Sequence, residues 1–93
     1  NRPCNMTCIT QDFSKTIDIL CNGTSVGSCG VFCSTNMEQE GSNITYLQIP
    51  QLSFENHVCN WSCAYGASIS QTKSLTIYSE YTRYIFAMLY WLF

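Results

Sequence analysis

Residues 58–65 read VCNWSCAY, and how this stretch runs decides the fold. Two-residue alternation places Trp61 and Cys63 on one face and Asn60 and Ser62 on the other, the pattern of a half-buried strand. Working outward, residues 74–79 (SLTIYS) alternate Leu75 and Ile77 and predict a last strand, with residues 66–73 as a turn. Upstream, residues 43–49 (NITYLQI) predict a strand that Pro50 ends, because proline cannot donate to a ladder. Residues 16–21 (TIDILC) put Ile17, Ile19 and Cys21 on one face and predict another strand. Between these, residues 23–30 read as a turn and residues 30–34 (GVFCS) as a short apolar strand. Residues 35–42 read as a loop or a weak edge strand. No sustained helical period precedes residue 80. Short strands separated by turn signals indicate an all-β sandwich or barrel.

The cysteines and the acceptor triplets place the chain outside the cytosol. Seven cysteines stand in 93 residues: Cys4, Cys8, Cys21, Cys29, Cys33, Cys59 and Cys63. Thiols at this density persist as disulfides in an oxidising compartment. Asn5, Asn22, Asn43 and Asn60 each open an Asn-x-Ser/Thr triplet, against about 1.5 expected by chance. Charged residues are only 11% of the chain and the net charge is −2. Glycans or a partner must therefore keep much of the surface covered, and without a basic run nucleic acid is not an expected partner. A small domain gains from cross-links, because its core is limited.

Six of the seven cysteines fall into Cys-x3-Cys units at 4/8, 29/33 and 59/63, with Cys21 alone. On a strand, residues four apart lie about 13 Å apart, too far to bridge, so extended units must pair with other strands. Seven is odd: one thiol is free or joined to a second chain, which leaves a disulfide-linked dimer open. Zinc is not expected, because its thiolate ligands need a reducing setting.

No catalytic residue emerges. His57 is the only histidine, it lies beside Glu55 and Asn56, and a Cys–His pair would need a free thiolate. The acids are scattered and the glycines follow no phosphate-binding pattern, so no cofactor is implied. Trp61 and Phe32 read as core aromatics. Asn60, followed by Trp61, is the acceptor expected to be occupied least, and turn positions Asn22 and Asn43 suit a glycan best.

The run from residue 43 to 79 resembles the last three strands of an immunoglobulin-superfamily domain. The carriers are Leu47-Gln48-Ile49, Leu52, Trp61-Ser62-Cys63 and Ser74-Leu75-Thr76-Ile77. Trp61 stands where that family usually has its corner tyrosine, and Cys59 where it usually has glycine. The resemblance implies a two-sheet antiparallel sandwich with a central disulfide, over residues 1–79. Residues 17–21 look like strand B, implying a Cys21–Cys63 bridge and a short constant-like domain, with strand C at residues 30–34 and Phe32 in its core position. A second register takes Cys8 as the strand B cysteine, with Met6 on its core face and residues 16–21 as strand C. Residues 63–77 are also similar to the F-to-G hairpin of membrane-proximal domains in the signalling lymphocyte activation molecule family.

Residues 80–93 read as a juxtamembrane segment followed by an apolar tail. Residues 84–93 (YIFAMLYWLF) carry no charge, and ten residues are half of the roughly 20 a membrane span needs. The tail is expected as the outer half of such a span, or else as a strand or helix of the core. A removed signal peptide would agree with a chain starting at Asn1. Two functions follow. One is a cell-surface module, a type I membrane glycoprotein that binds another surface protein in adhesion or immune recognition through the sheet without a glycan. The other is a small secreted, disulfide-rich ligand or inhibitor whose tail lies within its fold or within a dimer.

Overall fold

The computed structural model describes residues 4–75 and 88–92. It is mostly β-structure, in two sheets, with three disulfides. The first sheet contains β1 (Cys4–Ile9), β4 (Met37–Glu40), β5 (Ile44–Ile49) and β9 (Met88–Leu92), in the order β4-β5-β1-β9. The second contains β2 (Ile17–Cys21), β3 (Thr24–Cys29), β6 (Asn60–Tyr65) and β7 (Ser68–Ile69), in the order β3-β2-β6-β7. β8 (Lys73–Ser74) pairs with β6 as well, and one short helix, α1 (Phe54–His57), leads into β6. Every pairing is antiparallel except that of β9 with β1, which is parallel.

Alternation builds the shared core. Cys4, Met6 and Cys8 of β1, Ile17 and Ile19 of β2, Leu47 and Ile49 of β5, and Trp61 and Cys63 of β6 are all buried in one cluster. The two sheets meet across it, where Cys8 is bonded to Cys63. Gly27 on β3 lets Met37 of β4 come close: a β-carbon there would stand 2.7 Å from the Met37 sulfur. At the far end, Ser53 caps α1 through its hydroxyl, which accepts from the Asn56 amide at 3.2 Å.

The sulfur map corrects the favoured register. Cys21 is bonded to Cys59, not to Cys63. β2 and β6 are neighbours in one sheet, with Ile19 opposite Cys63 and Cys21 opposite Trp61. Cys21 therefore cannot reach across the core to a second sheet, and Cys59, just ahead of β6, is the cysteine beside it. Cys8 of β1 occupies the opposing layer, as the second register has it.

Residues 30–34 are not a strand, and Phe32 is not core. They form a bend in which Cys29 bonds Cys33 and Phe32 is 87% exposed. The 13 Å separation argued for extended units does not hold there, because the chain reverses: Cys29 and Cys33 face each other as an isolated bridge, with α-carbons 4.0 Å apart. Residues 23–30 are mainly strand β3 rather than turn. In the tail, Met88–Leu92 is a strand and not a helical turn, and Trp91 is buried. Residues 76–79 of the predicted last strand, and residues 80–87 and 93 of the tail, lie outside the described residues. No described helix is long and apolar enough to cross a membrane.

Candidate functional site: a loop cluster at one end of the sheets

Three connections gather where β2 begins and β6 ends: residues 10–16, residues 30–34, and the turn at Gly66 and Ala67. The first is anchored at both sides. The Thr10 amide donates to the Asn43 carbonyl at 2.9 Å and the Gly66 amide donates to the Thr16 carbonyl at 2.9 Å. Its centre is Asp12, whose Oδ1 accepts from the Ser14 amide at 3.0 Å, the Ser14 hydroxyl at 2.7 Å, and the Tyr65 hydroxyl. The Tyr65 bond, then those from Ser14, hold the Asp12 carboxyl below its usual range; the same bond pushes the Tyr65 phenol up. Lys15 completes the arrangement, its Nζ 5.5 Å from the centre of the Tyr65 ring.

Beside this buttress stands the cystine loop. A β-carbon on Gly30 would lie 3.4 Å from Thr16 Oγ1, so the two loops are neighbours. The Ser34 amide donates to the Ser28 carbonyl at 2.8 Å, and the Ser28 amide donates to Ser34 Oγ at 3.0 Å. With the Cys29–Cys33 bond these fix a tight ring whose tip carries Val31, 93% exposed, and Phe32. A single exposed apolar residue is ordinary. Two adjacent ones held on a cross-linked tip are a ready contact, because burying a Phe side chain contributes roughly 1.5–3 kcal/mol and the loop is already ordered.

The four Asn-x-Ser/Thr triplets fall on or beside strands of both sheets. Asn5 is on β1 and Asn43 precedes β5; Asn22 is in the β2–β3 turn and Asn60 opens β6. Triplet position therefore marks neither sheet as the one without acceptors. Asn22 and Asn60 adjoin: the Asn60 amide donates to Asn22 Oδ1 at 2.9 Å, and Asn60 Oδ1 accepts from Ser74 Oγ at 2.7 Å. Both Oδ1 atoms are engaged, and glycosylation would use the other atom, Nδ2.

His57 has a structural task. Its Nδ1 accepts from the Ser53 amide at 2.8 Å, its carbonyl accepts from Trp61 Nε1 at 3.2 Å, and burial lowers its pKa. Next to it opens a cleft of about 310 Å³, rimmed by the amides of Asn36, Gln48, Gln51 and Asn56. No charged side chain lines it. Cys4 is the free cysteine; burial pushes its thiol up to about 11, which leaves it protonated and a poor nucleophile. Among the described residues, no three His, Cys, Asp or Glu side chains gather as metal ligands. Sequence reading missed the Val31–Phe32 tip because it assigned Phe32 to the core; the signal available was the Cys-x3-Cys spacing around Gly30.

No family model, curated protein or solved structure matches this chain.

Proposed function

We propose that the chain is an extracellular, N-glycosylated module, an immunoglobulin-like sandwich that binds another secreted or cell-surface protein, in immune recognition or adhesion, through its loop cluster. The observation that carries this reading is the exposed Val31–Phe32 pair on a sulfur-closed loop. The sandwich reading is supported by strand order, with β4-β5-β1 in one sheet and β3-β2-β6-β7 in the other, and a cystine between β1 and β6. Its cysteines are 55 residues apart, not the 42 on which the short constant-like subtype rested, so that subtype is not carried forward.

A second reading, a small secreted ligand or inhibitor, is favoured by one observation: β9 pairs with β1 and Trp91 is buried, so the described part of the tail packs on the domain. Both readings use the same contact loop. The test is surface plasmon resonance of the secreted, oxidised glycoprotein against a panel of ectodomains and neutral lipid vesicles. The reading expects an ectodomain hit weakened at least tenfold by Phe32→Ser. A hit indifferent to both Phe32→Ser and Val31→Ser would overturn the loop assignment. Capture on vesicles alone would overturn the protein partner.

A further inference from the structure

The three cystines differ sharply in access to water. Cys8 and Cys63 are fully buried between the sheets. Cys59 is buried and Cys21 half-buried. In the third pair Cys29 is buried, but Cys33 is exposed. An attacking thiolate must reach a sulfur atom, so exchange rates follow exposure. We propose that the Cys29–Cys33 bond is a thiol-exchangeable latch on the contact loop, opened by a low-molecular-weight thiol. This rests on the reading of Val31 and Phe32 as the contact.

The chemistry is two exchanges. A thiolate attacks Cys33 Sγ and forms a mixed disulfide; the Cys29–Cys33 bond breaks and Cys29 leaves as a thiolate that takes a proton from water. A second thiolate attacks the external sulfur of the mixed disulfide. It releases Cys33 as a thiolate, and the two external thiols leave as one disulfide. The cystine gains two electrons and the external pair loses two.

The consequence is local. Cys8–Cys63 and Cys21–Cys59 still join β1 to β6 and fasten the end of β2. The loop loses its covalent closure and keeps hydrogen bonds: Ser34 to Ser28, Ser28 to Ser34 Oγ, and Gly30 to the Phe32 carbonyl at 3.1 Å. These lie at the surface, where water competes for the same groups. Val31 and Phe32 then lose the fixed presentation that makes their burial productive.

The experiment treats the folded glycoprotein with increasing reduced glutathione, traps thiols by alkylation, and maps them by mass spectrometry. Cys29 and Cys33 are expected to be labelled at least tenfold faster than the other cystines. Equal rates, or Cys21 and Cys59 reacting first, would overturn the latch. In the Cys29→Ala/Cys33→Ser variant, amide exchange over residues 30–36 is expected to rise at least fivefold, with β1 and β6 unchanged. An unchanged loop would overturn it too. Both readouts are independent of any partner. A failed latch thus leaves the contact reading standing, and binding indifferent to Phe32→Ser leaves the latch chemistry standing.

Discussion

Asp12 is exposed to solvent, yet three hydrogen bonds converge on one of its oxygens. All three donors favour the carboxylate, so its folded pKa lies below the unfolded value of about 3.9. A depressed carboxylate contributes stability above the unfolded pKa, and loses it as pH falls through the folded pKa. Carbon-detected NMR of the Asp12 carboxyl is expected to show a midpoint below the ordinary Asp range, moving up toward it in Tyr65→Phe. A midpoint that ignores Tyr65→Phe would remove the buttress from the loop cluster. His57 follows the same sign for a different reason. Burial disfavours its cation, so its contribution is present above about 6.5 and is lost as pH falls through the lowered pKa. Protonation also puts a hydrogen on Nδ1, which then can no longer accept from Ser53. The Ser53 amide resonance should therefore shift with the His57 midpoint, below that of a free histidine.

Among the elements, the β2–β3 hairpin shows how a turn residue sets a strand. Asn22 and Gly23 both have positive φ, 52° and 84°, and Cys21 faces Thr24 directly. Asn-Gly is the favoured pair for such a two-residue turn. Nothing lies within 4 Å of a β-carbon placed on Gly23, so Gly23→Ala acts through the backbone alone. It is expected to cost about 1 kcal/mol in urea unfolding, while keeping the Asn22 acceptor triplet. The sequence reading places a turn from Gly23 but draws it too long, because Gly and Ser recur through residue 30 and mask strand β3. Strands β2, β5 and β6 were legible because their apolar residues alternate against polar ones. β1 was legible only as the second register, with Cys8 and Met6 on its core face: Asn5 and Thr7 interleave with Cys4, Met6 and Cys8, and neither cysteine nor methionine signals a strand strongly. The pairing of Cys21 was hidden for a geometric reason. Alternation shows which face a residue takes within its sheet, but not which strand lies opposite. The disulfides divide by element as well. In the chain-entropy account, closing the 55-residue separation of Cys8 and Cys63 stabilises by about 4 kcal/mol, and the short Cys29–Cys33 ring by about 2 kcal/mol. Calorimetry of Cys8→Ala/Cys63→Ala against Cys29→Ala/Cys33→Ser should show the larger loss in the first. The reverse order would take the central staple away from Cys8 and Cys63.

At the scale of the whole molecule, the open question is what closes the first sheet beyond β1. β9 does so in parallel, with Leu89 opposite Met6 and Trp91 opposite Cys8. Trp91 thereby enters the layer next to the central cystine, with the Lys73 ammonium 5.5 Å from the centre of its ring. Its Nε1 is buried without a hydrogen-bond partner among the described residues. An unpaired buried donor costs about 1–3 kcal/mol, so the contribution of this side chain comes from its ring rather than its N–H. Two substitutions separate these terms. Trp91→Phe removes the unpaired donor and keeps most of the apolar body, and is expected to change stability by less than about 1.5 kcal/mol. Trp91→Ala empties the slot, and is expected to cost about 3–5 kcal/mol and to raise amide exchange along Asn5–Ile9, where β1 loses its neighbour. A tail that instead runs into a membrane would make no contact with β1. In that case Trp91→Ala would leave both the unfolding transition and the β1 amides where they are in the wild type. Exchange at β1, rather than overall solubility, is therefore the measurement that tells a packed strand from an anchor.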